Sequence, residues 1–259
     1  MDLGIQGRKA IVMASSQGLG KACALTLAAE GCKVFINGRN ATKLDKTKEE
    51  IVLKTGADVS AIVADITTES GRAKLLNACP APDILVTNNA GPPPGSIEDW
   101  DHAAWISVLE SNMVAQILMI RAVLPAMRAQ KFGRIINMTS AMVKAPLPMM
   151  GLSTAARAGL TALAKSVSRD VAKDNVTINN LLPERFDTDR QRFMAERIVS
   201  EEGGTFDEAK AKIAHTITAQ RLGRPEEYGA ACAFLCSVQA SYISGQNLQL
   251  DGGSYPGLF

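Results

Sequence analysis

Three side chains carry the chemistry this sequence offers most openly. Ser140 follows the apolar run Arg134-Ile-Ile-Asn-Met-Thr139, and Ser153 and Arg157 stand four apart where an alanine-rich helical stretch begins. A hydroxyl can polarise a carbonyl or hold an oxyanion, and residues four apart share one face of a helix. A hydroxyl at a strand end, with a hydroxyl and a cation at a helix start, is thus a catalytic layout. The plainer alternatives are a helix cap for Ser153 and a surface or interface ion pair for Arg157.

A second group could hold a phosphate. Ser15-Ser16-Gln17-Gly18-Leu19-Gly20 separates the apolar run 9–14 from the helical stretch 21–30. In a strand–turn–helix unit, backbone N–H groups and the positive helix end point at an anion, and glycine lets it come close. Asn37 and Arg39 end the next apolar run, 33–37. An acidic residue there would bind a free adenosine ribose hydroxyl, whereas an Arg can pair with a 2′-phosphate; a solvated Arg39 is the alternative. Asp65, after the run 59–64, either meets the adenine or caps the next helix.

Six strand–helix repeats and a last strand at 246–250 must position these groups. That alternation predicts an α/β fold, a Rossmann-type doubly wound parallel sheet forming one domain over 1–259, with ligands at the strands' carboxyl ends. The run 83–87 leads into Asn88-Asn89-Ala90-Gly91, Asn112 lies mid-helix in a stretch from Trp100 to Gln130, and the run 176–181 leads to Pro183-Glu184. Residues 189–219 are charged and helical, interrupted at Gly203-Gly204. They predict a substrate lid at about 185–220, the one sizeable insertion in the alternation.

Composition narrows the field. With 259 residues, 46% hydrophobic content and a net charge of +2, the chain is ample for one large domain and lacks the basic bias of a nucleic-acid binder. Its five cysteines show no framework spacing, which suits a reducing compartment, and Cys232 and Cys236 read as core. No leader and no run of about 18 apolar residues is seen, so the expectation is a cytoplasmic protein without a membrane span. His102 and His215 join no metal constellation.

These landmarks, in order and spacing, resemble the short-chain dehydrogenase/reductase family along nearly the whole chain. The branch similar to β-ketoacyl-carrier-protein reductases fits best. The resemblance rests on the Ser15–Gly20 loop, Asp65, Asn88-Asn-Ala-Gly91, Asn112, Ser140, Pro183, Thr188, Arg221-Leu-Gly-Arg-Pro-Glu226 and Asp251-Gly-Gly253. It implies NADP(H), held by Ser15, Ser16, Gln17, Gly18, Leu19, Gly20, Asn37, Arg39, Asp65, Ile66, Asn89, Ala90, Gly91, Arg157, Pro183 and Thr188. It also implies a small-molecule substrate, catalysis at Asn112, Ser140, Ser153 and Arg157, and a homotetramer built on the helices at 100–130 and 153–173 with the C-terminal region.

The departures bear on the chemistry. Met13-Ala14 stand where the family has Thr-Gly, Glu184 where Gly follows Pro, and Ser153 and Arg157 where it has Tyr and Lys. Ser is a far weaker acid than a phenol, and Arg keeps the charge but cannot lose a proton. Glu184 becomes the candidate replacement acid or base, and Met142, Met149, Met150 and Met194 suggest an apolar lining. Three readings stay open. One is an NADP-dependent oxidoreductase with a modified site, acting on a small or acyl carbonyl or alcohol. The others are a non-redox lyase or dehydratase on the same fold and a catalytically silent nucleotide or ligand binder.

Overall fold

The computed structural model describes residues 1–258. Seven short apolar runs form strands: β1 (Lys9–Val12), β2 (Lys33–Gly38), β3 (Val59–Val63), β4 (Ile84–Thr87), β5 (Gly133–Met138), β6 (Val176–Pro183) and β7 (Asn247–Leu250). All pair in parallel in the order β3-β2-β1-β4-β5-β6-β7. Strand order reverses between β1 and β4. A crevice therefore opens there at the carboxyl ends, because the connections leave toward opposite sides.

Helices cover both faces. On one, α1 (Gly18–Ala29) and α2 (Ala41–Thr55) bury Leu27 and Leu44 and, late in the chain, α9 (Pro225–Cys236) buries Tyr228 and Cys232 beside α1, β5 and β6, all in one apolar cluster. All five cysteines are buried free thiols, Cys232 and Cys236 among them, as their apolar setting predicts. On the other face, α5 (Ala115–Ala129) and α6 (Gly151–Val171) bury Met119, Val123, Leu160 and Ala164. Two further helices complete the set before the insertion: α3 (Glu69–Ala78) and α4 (His102–Leu109).

The long helix expected over Trp100–Gln130 is not continuous. A π turn at Glu110–Val114 joins α4 to α5 and carries Asn112. The joined run, His102–Ala129, is long and apolar enough by length and composition to cross a bilayer, yet its inner face packs under the sheet.

The insertion folds into α7 (Asp189–Glu202) and α8 (Phe206–His215), parted by Gly203 and Gly204 at φ 81° and 87°. Ala195, Ala209, Ile213, Ile217 and Leu222 form an apolar cluster of their own between these helices. Their base is pinned to the sheet end where Asp187 N donates to the Gly223 carbonyl at 2.8 Å and Gly223 N to the Arg185 carbonyl at 2.9 Å.

One row of side chains, buried except at its last member, sets the relative height of four strands. Thr87 Oγ1 donates to Asn137 Oδ1 at 2.8 Å, Asn137 Nδ2 to Asn180 Oδ1 at 2.9 Å, and Asn180 Nδ2 to Asn247 Oδ1 at 2.7 Å. These residues are direct register partners across β4, β5, β6 and β7. Asn137→Ala removes the acceptor of Thr87 and the donor to Asn180, leaving two buried polar groups unpaired. The expected loss is about 3 kcal/mol, at 1–3 kcal/mol for each orphaned group. That lowers Tm by roughly 6–12 °C, and a melt within 2 °C or so of the parent would show that the row contributes little.

Candidate active site

A single cavity of about 1240 Å³ crosses the carboxyl ends of the strands. Sixteen of the residues given a cofactor-binding or catalytic role by the resemblance line it: Ser16, Gln17, Gly18, Leu19, Asn37, Arg39, Asp65, Ile66, Asn89, Ala90, Gly91, Ser140, Ser153, Arg157, Pro183 and Thr188. Ser15, Gly20 and Asn112 stand behind that wall, where each braces a lining segment.

The bracing is specific. Ser15 is fully buried; its Oγ donates to the Val12 carbonyl at 2.7 Å and accepts from Asn37 N at 3.0 Å, locking the ends of β1 and β2 together. Gly20 lets α1 sit on the turn, because a Cβ there would lie 2.5 Å from the Ala14 carbonyl oxygen and 2.9 Å from Asn88 Nδ2. Asn112 donates to Ser111 Oγ at 2.9 Å, while its Oδ1 is buried without a protein partner. Ser111 in turn accepts from Asn89 Nδ2 through its carbonyl at 2.9 Å, so the π turn holds the 88–91 segment.

At the phosphate turn, Gly18 takes φ 59°, where a side chain is disfavoured. Ala14, at the first glycine position of the resembled motif, also takes a left-handed φ of 44°. The turn geometry thus persists without its glycine, at a cost of roughly 1–2 kcal/mol in backbone strain. Backbone N–H groups at the start of α1 open onto the cavity beside Ser16 and Gly18. A dinucleotide's pyrophosphate fits this cradle.

Lys43 supplies a cation at the adenosine end that the sequence reading missed. It lines the cavity with Arg39 and donates to Gln17 Oε1 at 3.1 Å. Its signal was its place in the first turn of α2, just past the Arg39 strand end. Arg39 is largely exposed and only 4.0 Å from Asp65 Oδ2, a loose pairing that leaves it free to turn. Asp65 Oδ1 accepts from Thr67 N and Thr67 Oγ1 at 3.0 and 2.8 Å, and the backbone bond in particular holds its pKa below the usual carboxylate value. Asn37 is buried, and its amide donates to the Ile62 and Ala64 carbonyls at 3.1 Å. It shapes the floor, leaving the cationic groups at the rim.

The other end holds Ser140, Ser153 and Arg157. Arg157 Nη1 donates to Ser153 Oγ at 3.1 Å, one helical turn back on α6. Ser153 is 1% exposed, and Arg157 Nε is buried with no protein partner. The guanidinium is enclosed by protein on most sides with one edge on the cavity, and its Nη2 would lie 3.4 Å from a Cβ on Gly91. Burial pulls its pKa down to about 10, with the Arg190 charge acting in the same direction. It is still a cation at neutral pH. Ser140 caps a short turn, its Oγ accepting from Met142 N at 3.2 Å. Both serine oxygens therefore accept from the protein and keep their own protons to donate.

No tyrosine is found among the described residues lining the cavity. Tyr228 is fully buried against Phe186, and burial pushes its pKa far up; Tyr242 is on the surface, and Tyr255 faces Lys144. Glu184 does line the cavity, at the end of β6 and 3.7 Å from Arg185 Nε. Burial raises its pKa, only partly countered by Arg185. Arg190, Phe193 and Met194 on α7, with Met149 on the facing loop, wall this end. Arg190 was not singled out in the sequence, where it reads as one charge among many on the insertion.

Comparison with known proteins agrees with the fold and the cofactor expected from it. The family described as Enoyl-(Acyl carrier protein) reductase matches residues 13–255. The chain is 34% identical over 252 residues to the NADPH-dependent reductase BacG of Bacillus subtilis, covering 95% of this chain and 97% of that one. It is 30% identical to the 3-oxoacyl-[acyl-carrier-protein] reductase FabG of Aquifex aeolicus, covering 98% and 100%. Among solved structures, L-sorbose reductase from Gluconobacter frateurii, complexed with NADPH and L-sorbose, superposes with a TM-score of 0.94 at 28% identity and full coverage of both chains.

Glu184 gives the site a pH signature. Burial raises its pKa in the folded chain above the unfolded value, so the folded state holds the proton more tightly. Its stability contribution is complete below the unfolded pKa and is lost as pH rises through the folded one. Glu184→Gln, neutral at every pH, should therefore melt above the parent at neutral and alkaline pH and together with it in acid. Calorimetry across pH measures this, and a gap that widens toward acid would contradict it.

Proposed function

The chain belongs to the short-chain dehydrogenase/reductase family, and on that premise we propose that it is an NADP(H)-dependent oxidoreductase acting on a small or acyl carbonyl or alcohol, with Ser153 and Arg157 in place of the usual Tyr and Lys. One observation carries the reading: a single cavity joins the Arg39–Lys43 end, the Gly18 turn and the Ser140–Ser153–Arg157 end. A dinucleotide spans such a distance with its phosphates on a helix start. The NADPH named for BacG and for the sorbose reductase complex supports the choice of cofactor.

NADPH bound there would supply a hydride. Arg39 and Lys43 would hold its 2′-phosphate, the start of α1 its pyrophosphate, and Arg157 the ribose hydroxyls near the reacting end. Arg157 positions and neutralises but relays no proton. Ser140 and Ser153 direct their hydroxyl protons at the substrate oxygen, a two-donor oxyanion site. The proton comes from Glu184, whose pKa burial raises, or from water.

The donors also favour a second substrate chemistry. Reduction at a carbonyl carbon leaves an alkoxide that demands a proton as it forms. Reduction of an alkene conjugated to a carbonyl leaves an enolate, whose spread charge hydrogen bonds and a fixed cation can hold. The enoyl reductase description of the matching family points the same way.

The α7–α8 insertion serves as the substrate lid. A homotetramer is supported by the joined α4–α5 run: only 28% of its most apolar stretch is buried in one chain, and Ile106 is 52% exposed. The five free thiols suit a cytoplasmic setting.

Fluorescence titration should show NADPH binding well ahead of NADH. Arg39→Ala with Lys43→Ala should weaken NADPH roughly 10- to 100-fold, the value of a charge-assisted contact, while NADH changes little. Equal losses for both would reject the 2′-phosphate assignment. An α,β-unsaturated ketone then separates the two chemistries: a saturated ketone marks alkene reduction, and an allylic alcohol marks carbonyl reduction. NADPH binding with no oxidation across carbonyl and enone panels would sink the redox reading.

A further inference from the structure

Two guanidinium groups converge on the substrate end of the cavity without a counter-charge. Arg190, in the first turn of α7, donates through Nη2 to the Pro92 carbonyl at 3.2 Å. Arg157, from α6 on the opposite wall, lies against Gly91, the preceding residue. The two cations thus bracket one loop segment from two sides. Neither forms an ion pair with a carboxylate among the described residues, although fourteen such pairs occur elsewhere in the chain.

Two partly desolvated like charges raise the energy of the folded chain unless something offsets them. Burial lowers the pKa of both, and Arg190 adds to the fall at Arg157. The nearby acids do not answer them. Glu184 pairs with Arg185, and its burial favours the neutral form. Arg157 has a ribose to hold in the proposed complex, whereas Arg190 spends one Nη2 hydrogen on a carbonyl, lies 5.9 Å from the Phe193 ring centroid, and has a fork whose geometry suits a planar anion. Beside it the wall is apolar, formed by Phe193, Met194 and Met149.

We propose that the substrate is an organic anion, a carboxylate on an apolar body, with Arg190 binding the carboxylate and Arg157 adding its charge from the opposite wall. The apolar part lies along Met149, Phe193 and Met194. The inference rests on the oxidoreductase reading only for what happens after binding. It names a specificity residue on the lid, so closing the lid brings the carboxylate contact with it.

The test is calorimetric and needs no turnover. The full-length chain is titrated with 3-phenylpropanoate, its neutral counterpart 3-phenylpropanamide, and acetate, each with and without NADPH. The acid should bind at least roughly tenfold more tightly than the amide, in keeping with a charge-assisted contact, and more tightly than acetate. Arg190→Met should bring acid and amide within about twofold, and Arg190→Lys should keep part of the preference by retaining the charge. Equal binding of acid and amide by the parent, binding of neither, or an undiminished preference in Arg190→Met would overturn the proposal. Failure of NADPH to bind would instead remove the oxidoreductase reading, because the acid–amide comparison stands in its absence.

Discussion

The row Thr87–Asn137–Asn180–Asn247 is the constraint on which the site's geometry depends. Apolar strands in a parallel sheet can slide without losing much burial, since both faces are covered. Amides cannot slide so cheaply, because each one displaced leaves a donor or acceptor dry. The row therefore fixes the relative heights of four strands, through the carboxyl ends of β4 and β5, the middle of β6 and the start of β7. Asn88–Gly91, Ser140 and Pro183-Glu184 all leave the sheet just beyond it. Ser15 does the same for β1 and β2, so the floor of the cavity is held by polar contacts and its bulk by apolar ones.

The division of labour in the site follows from that floor. The cofactor side is built largely from backbone and small residues, which tolerate change: Ala14 holds the left-handed turn that glycine would hold with less strain. The chemical side is built from side-chain atoms, and there replacement alters what can happen. Arg157 and Ser153 form a donor array that holds no group titrating near neutrality. Such an array stabilises charge better than it moves protons, which is why substrate oxygen chemistry, and not cofactor fit, separates the remaining alternatives.

Much of this was legible in the sequence, since short apolar runs alternating with helical stretches specify a parallel sheet and its carboxyl edge. The strand ends were less so. The run 9–14 stops being strand at Val12, because Met13 and Ala14 already bend into the turn. The helix over 100–130 looked uninterrupted, for a π turn adds one residue without any breaker to announce it. Buried Arg134 reads as an interruption of an apolar strand, yet it donates to the Ser237, Gly133 and Asn175 carbonyls and stacks on Phe132. Arg190 and Lys43 were hidden among many charges, because only three-dimensional proximity distinguishes a cation facing a cleft from one facing water.

The small core shared by α7 and α8 has a thermodynamic meaning of its own. A covering segment without internal packing must surrender backbone freedom residue by residue each time it closes, at about 1–2 kcal/mol for each residue ordered. Here that ordering is already done within the two helices, and the Gly223 contacts tether their base. If the pair closes as the proposed lid, what closure must still restrict is the orientation of one preassembled body about two short connections. A lid built so would respond to a bound ligand as a lever does, and a single contact near its tip would set the position of every residue it carries.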